Sequence, residues 1–379
     1  MLVPVFFRAM HGGLHDHVAA QVTAAVAAGW EVTLMCPSGP FADAMEHQAH
    51  VLRDDFRDQD AGVRRACAAG PFDLIHAHPW ASLRLGVEVG RQLKTPLIVT
   101  RHNTKTEDIP ARCGDIDLVV AISDLVRDAV ARETEMPPER IAVIPNGVDL
   151  RAFRRSRRQR HRIHRGAPAR VLVASRFDDD KRFIIEVLEE LWTHLSTNLD
   201  GWPSLEFVVA GDGGLISRVR DAASVLNRSP IHHPVQFTGW LDSRQLIKLM
   251  RQVDVSISPG RSALQSLALG VPTIGLGGRG YLGFIDGSLA PRAMYQHFGS
   301  REAGWDAYPR GQLGRDLRAA LASRADETTR ELGKAIARSF SQERVDRDVQ
   351  RLWSVAKHLA PRSQFKLGNQ EAMRQGGTA

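Results

Sequence analysis

Cysteine is scarce in this chain: three in 379 residues, at Cys36, Cys67 and Cys113. They are far apart and odd in number, which excludes a disulfide framework or a clustered zinc site and fits a reducing compartment. Long apolar runs are missing as well. None approaches the roughly 20 residues a membrane-crossing helix requires. The opening MLVPVFF lacks a basic flank and a cleavage region, so it reads as a first strand and not as a signal peptide. No short repeat is visible. What remains is ordinary globular composition, 43% hydrophobic and 25% charged. The length favours two domains over one core.

The net charge of +7 is unevenly spread. Residues 1–150 hold 14 Lys+Arg against 20 Asp+Glu, and the remainder holds 36 against 23. Much of the excess lies in Arg151–Arg165, with eight arginines and no acid. Such a run can attract nucleic acid or anionic lipid. Its place between two α/β halves, with no aromatic stacking platform beside it, favours a solvated linker. Nucleic acid is not an expected partner.

Both halves alternate strands and helices, which predicts parallel, doubly wound sheets. In the first, strands are expected at Val3–Phe7, Glu31–Cys36, Asp73–His78, Pro96–His102, Asp117–Ser123 and Arg140–Pro145. Helices are expected at His15–Ala28, Ala81–Lys94 and Asp124–Glu133. The second half gives strands at Arg170–Arg176, Leu205–Ala210, Val235–Gly239, Asp254–Ser258 and Pro272–Leu276, with a helix at Lys181–Leu195. The expected division is 1–150, an arginine-rich linker at 151–168, a second domain at 169–342 and a mobile tail at 360–379. A C-terminal helix near 343–359 would pack back on the first domain. Ligands of such folds sit at the carboxyl ends of the strands.

Several residues have two readings. Arg176 ends a strand and Lys181 opens a helix, an arrangement suited to a diphosphate; alternatively they pair with Asp178, Asp179 or Asp180 between them. Gly260, Arg261 and Ser262 would set backbone N–H groups at a helix N-terminus, although Ser262 can be a plain N-cap. Gly12-Gly13 is either a turn or a loop that lets a sugar or diphosphate reach the backbone. His17 faces an acceptor or is a satisfied, half-buried histidine. His76 and His78 share one strand face. That strand offers no third ligand and no H-E-x-x-H pattern, so no metal site is expected. Gly275–Gly280 satisfies G-x-G-x-x-G but lacks a following helix, and reads as a loop closing near the donor.

In order along the chain stand His11-Gly12-Gly13 to His17-Val18, DLIHAH (Asp73–His78), RHN (Arg101–Asn103), AIS (Ala121–Ser123) and IPNGVD (Ile144–Asp149). Arg176 to Lys181, AGDG (Ala210–Gly213), FTGW (Phe237–Trp240) and ALGVP (Ala268–Pro272) follow. This series, over about residues 1–355, resembles the glycosyltransferase family four proteins, retaining nucleotide-sugar enzymes of the GT-B fold. The resemblance implies two Rossmann-like domains facing a central cleft, with donor mainly on the second and acceptor mainly on the first. It implies that His78 orients the donor sugar, while Arg176 and Lys181 stabilise the leaving diphosphate and replace a metal. Gly12, Gly13, Gly211, Asp212, Gly213, Gly260, Arg261, Ser262 and Gln265 would bind the donor, with His17, His102 and Asn103 on the acceptor or sugar side. No cofactor is implied beyond the nucleotide sugar, of UDP or GDP type, with a small-molecule, lipid-linked or glycan acceptor. The expected place is the bacterial cytoplasm, with peripheral contact at the inner membrane face. One departure stands out. The family carries two glutamates seven residues apart near this loop; here the first has no counterpart and the second is Gln265. A non-catalytic nucleotide-sugar-binding or regulatory protein is the alternative.

Overall fold

The computed structural model describes residues 1–6, 12–106, 109–154, 167–197, 201–299 and 308–359. Most of the arginine run and the 360–379 tail lie outside the described residues. The chain divides into two compact units, Met1–Asn146 with Glu343–Ala379, and Gly147–Gln342.

The first unit is built on a seven-stranded parallel sheet. Its strands are β1 (Leu2–Pro4), β2 (Thr33–Cys36), β3 (His50–Arg53), β4 (Ile75–Ala77), β5 (Leu97–Arg101), β6 (Leu118–Ala121) and β7 (Ile141–Val143). They lie in the order β3-β2-β1-β4-β5-β6-β7. The order reverses between β1 and β4, and a crevice at the carboxyl ends of the strands forms at such a reversal. Strands β1, β2, β4 and β5 are buried throughout, as expected where helices cover both faces of a sheet. The edge strand β3 differs: its ends are exposed, so it lacks the hydrophobic pattern that makes a strand legible. The helix Gln59–Ala68, capped by the Asp58 side chain on Ala61 N, was also not expected from the pattern. The helix Gln342–Ala356 belongs to this unit and buries Val345, Val349 and Trp353 beside Val18, Val22 and Val3.

The second unit carries β8 (Ala169–Ala174), β9 (Leu205–Ala210), β10 (Val235–Gly239), β11 (Val255–Ser258), β12 (Thr273–Gly277) and β13 (Gly280–Phe284). Their order is β10-β9-β8-β11-β12-β13, reversing between β8 and β11. All pairs are parallel except β12–β13. That antiparallel hairpin was not foreseen. Its turn is the G-x-G-x-x-G segment, which therefore leads into a strand and not into a phosphate-binding helix. The helix Arg182–Thr197 buries Ile184, Val187, Leu188, Leu191 and Leu195 on the face its spacing predicts. The two ends of this unit meet: Val148 N–H donates to Phe340 O and Gln342 N–H to Val148 O, both at 2.9 Å.

Candidate active site

In the first unit the site gathers at the sheet reversal. The helix Gly13–Ala27 follows β1 and brings His17, with Gln21 one turn further on the same side. The loop after β4 brings His78, whose backbone N–H reaches Pro4 O of β1 at 3.3 Å. The end of β5 brings His102. The result is a cluster of three histidines whose nearest ring nitrogens lie within 4.8 Å of one another. His78 is fully buried; His17 and His102 are half-buried. The strand-based expectation of no third imidazole thus needs correcting, because the others arrive from a helix and a neighbouring strand.

The cluster continues inward as a hydrogen-bonded row. His78 Nδ1 lies 3.0 Å from His102 Nε2, and His78 Nε2 lies 2.9 Å from Gln21 Oε1. Gln21 Nε2 then meets His76 Nδ1 at 2.5 Å, and His76 Nε2 meets Thr100 Oγ1 at 2.7 Å. From the C-terminal helix, the Trp353 indole N–H donates to His76 Nδ1 at 2.9 Å. The His78 and His102 rings are 18° from parallel with centroids 5.3 Å apart. Their 3.0 Å nitrogen separation therefore lies along the line joining the ring centres. Two ring nitrogens set head-on make a hydrogen bond, the N–H of one meeting the lone pair of the other; two ligands of one ion must converge on it from about 2.0–2.1 Å each. Burial pushes His76 down to about 3, helped by the His17 charge. It pushes His78 well below its ordinary value too, with His102, His17 and His76 adding to the effect. Both rings are held neutral.

Other residues of this unit divide. A Cβ on Gly12 or Gly13 would meet nothing within 4 Å, and the Gly12 φ of 174° is ordinary extended backbone, so the fold itself does not demand glycine at either position. Asn103 Oδ1 accepts from Lys105 N–H at 2.8 Å, which occupies it in a turn. Trp80 was missed by sequence reasoning. It stands two residues after His78, half exposed, with φ 64° in the left-handed region that bulky residues avoid. Gln21 was legible in principle, one helical turn beyond His17. Trp353 was not, because 277 residues separate it from His76.

In the second unit the loops after β8 and β9 meet beside the second reversal, where β11 lies next to β8. Gly211 and Gly213 are required by close approach. Their φ values are 140° and 147°, and a Cβ on Gly211 would lie 1.8 Å from Ser175 O, one on Gly213 2.6 Å from Phe177 O. Phe177 N–H donates to Asp212 O at 2.9 Å and Leu215 N–H to Phe177 O at 2.8 Å, fastening the two loops together. Asp212 is exposed, its Oδ1 accepting from Gly213 N–H. Gly278 lies against the same place: a Cβ there would come 2.3 Å from Asp180 O and 3.1 Å from Lys181 Nζ. The hairpin turn thus does close over Lys181.

Arg176 and Lys181 are both paired with aspartate. Arg176 reaches Asp178 Oδ2 at 2.7 Å and Asp180 Oδ2 at 3.0 Å, and Lys181 Nζ reaches Asp180 Oδ2 at 2.8 Å. Asp178 also accepts from Gly214 N–H at 3.1 Å. Burial pushes the Asp180 carboxyl up, but the Lys181 hydrogen bond and the Lys181 and Arg176 charges outweigh it and hold the group below its ordinary value. The ion pairs with Asp178 and Asp180 that the sequence offered are formed. The helix Gly260–Ala268 begins after Pro259, so Ser262 is its third residue and not its N-cap. The Gly260 N–H is committed to Phe298 O at 2.9 Å. Arg261 and Ser262 are half-buried on the first turn, whereas Gln265 is only 5% exposed.

Two units, each a doubly wound sheet with its polar residues gathered at the carboxyl ends of the strands, define the GT-B class. Solved structures agree on the fold. A glycosyltransferase from Rickettsia africae superposes with a TM-score of 0.67 at 13% identity, covering 94% of this chain and 97% of that one. Anabaena HepE in complex with UDP and glucose gives 0.61 at 16%, covering 93% and 99%. Residues 11–152 match the Glycosyltransferase Family 4 domain. A D-inositol 3-phosphate glycosyltransferase of Catenulispora acidiphila is 31% identical over 126 residues, 28% of this chain and 30% of that protein. One from an Arthrobacter species is 24% identical over 311 residues, 69% and 73%. These matches support a glycosyltransferase of the family-four type. Among the described residues, no helix is long and apolar enough to cross a membrane.

Proposed function

We propose that this chain is a retaining glycosyltransferase that moves a sugar from a nucleoside-diphosphate donor to a hydroxyl acceptor. The observation that carries the reading is the meeting of His17, His78 and His102 at the sheet reversal, inside a segment that matches the family-four domain. Imidazoles there can donate to and accept from sugar hydroxyls, and burial holds His78 neutral. HepE holds UDP and glucose, which makes a uridine nucleotide the first donor to try. Relatives named for D-inositol 3-phosphate make a cyclitol phosphate the first acceptor.

Breaking the anomeric C–O bond places negative charge on the departing diphosphate. Arg176 and Lys181 would meet that charge on leaving Asp180, without a metal. Half-exposed ion pairs of this kind contribute about 0–1 kcal/mol each, little enough for a diphosphate to displace. The acceptor oxygen attacks on the face the diphosphate leaves, and a phosphate oxygen takes its proton. The reaction belongs in cytoplasmic glycan, glycolipid or glycosylated-metabolite synthesis, at or near the inner membrane face.

Arg176→Ala and Lys181→Ala are each expected to lower turnover at least 100-fold in the presence of a chelator, with unchanged circular dichroism. Wild-type turnover in both variants refutes the assigned roles. A second reading, a nucleotide-sugar-binding protein without catalysis, is favoured by two facts: the cations are neutralised by aspartates, and Gln265 stands where the family carries glutamate. Calorimetric binding of a nucleotide sugar with no hydrolysis and no transfer would select it.

A further inference from the structure

We propose that Trp353, acting from the C-terminal helix, sets the direction of every proton in the row Thr100–His76–Gln21–His78–His102 and so fixes which nitrogen of His78 carries hydrogen. Trp353, Gln21 and His76 are then positioning residues for the histidine cluster. This inference deepens the glycosyltransferase reading, on which it relies for the purpose of the arrangement; the arrangement itself stands without it.

The row taken alone has two consistent directions. In one, His102 Nε2–H donates to His78 Nδ1, His78 Nε2–H to Gln21 Oε1, the Gln21 amide N–H to His76 Nδ1, and His76 Nε2–H to Thr100 Oγ1. In the other every bond is reversed and the Gln21 amide is turned over. Both satisfy every member, because a carboxamide and a hydroxyl can each donate and accept, and a neutral imidazole carries its one proton on either nitrogen. Burial keeps His76 and His78 neutral, so tautomer is their remaining freedom.

Trp353 removes the choice. An indole nitrogen only donates, and its N–H points at His76 Nδ1 from 2.9 Å. A proton on His76 Nδ1 would set two donors against each other between side chains that are 0% and 1% exposed. His76 Nδ1 must therefore accept, its one lone pair shared between the indole N–H and the Gln21 amide, which puts its hydrogen on Nε2 toward Thr100. The Gln21 group facing Nδ1 must be the amide N–H, so its oxygen faces His78. His78 must then be the Nε2–H tautomer with a lone pair on Nδ1, and His102 must turn an N–H toward it. One donor reaches the sugar-side histidine through two intermediates, without touching it.

The test is long-range 1H–15N correlation of ring nitrogens in the full chain, which reads tautomers directly and needs no substrate. Wild type is expected to show His76 and His78 each as a single Nε2–H form; a His78 spectrum dominated by Nδ1–H overturns the proposal. Trp353→Phe keeps the aromatic packing and drops the donor, and is expected to put both rings into a mixture. Gln21→Met breaks the row in the middle: His76 stays Nε2–H and His78 alone becomes mixed. Single tautomers persisting in Trp353→Phe, or both rings changing together in Gln21→Met, refute the lock. If Trp353→Phe does not fold, Gln21→Met and wild type still decide. Where transfer is measurable, turnover should fall in proportion to the Nδ1–H population of His78, two-fold at equal populations. Absent transfer with the expected tautomers refutes the enzyme reading and leaves the lock intact.

Discussion

Asp180 is the residue on which the second unit's chemistry turns. Its carboxylate accepts from both Arg176 and Lys181, the position an anionic group of a ligand would take between two cations. Together with Asp178 and Asp179 it leaves the segment from Arg176 to Lys181 with more acid than base. If the cations bind a diphosphate, Asp180 competes with it. Asp180→Asn is then expected to tighten UDP binding about ten-fold, since removing one carboxylate relieves a repulsion of roughly 1–2 kcal/mol near a protein surface. Unchanged or weaker affinity by calorimetry would count against the diphosphate role. Both the cations and their aspartates were readable from the sequence, as was the conflict between them. Which side prevails depends on side-chain geometry that spacing alone does not specify.

Strand β4 and the helix Gln342–Ala356 form the pair of elements that make the first unit acid-sensitive. His76 is pushed from 6.5 to about 3 by burial, and His78 moves the same way. A histidine whose folded pKa lies below its unfolded value takes up protons only on unfolding. Its stabilising contribution is full above pH 6.5 and is lost as pH falls toward the folded value, by up to about 1.4 kcal/mol per pH unit per group. Denaturant melts are therefore expected to show about 2 kcal/mol less stability at pH 5 than at pH 7 from His76, with His78 acting in the same direction. A flat profile over that range would show that these rings titrate normally. Sequence pattern placed both elements closely: Asp73–His78 against Ile75–Ala77, and about 343–359 against Gln342–Ala356. It missed β3, whose outer residues are exposed, and the β12–β13 hairpin, where glycines blur the alternation that marks a strand. The N-cap alternative for Ser262 does not hold, because the helix begins right after Pro259 and Ser262 is its third residue. The contact between His76 and Trp353 arises only when two distant elements pack, and nothing local announces it.

At the scale of the whole molecule, each unit carries its own apolar core. Phe177, Trp192 and Phe207 lie in the second, and Leu2, Met35 and Leu83 in the first. A ligand that binds the native state alone stabilises what it touches. UDP is therefore expected to slow amide exchange in the loops at 175–181, 211–215 and 259–262, while the helix Gln59–Ala68 exchanges as before. Slowing spread evenly over the chain, or confined to the first unit, would remove the second as the nucleotide site.

The close meeting of Val148 with Phe340 and Gln342 makes the second unit a cassette. Its entry and exit lie side by side, so a related unit could be grafted in at Gly147 and Gln342 with every strand of both sheets left whole. Because Trp353 and the histidines beside it stay behind with the recipient, such chimaeras would combine the loops of one second unit with the histidine cluster of another parent.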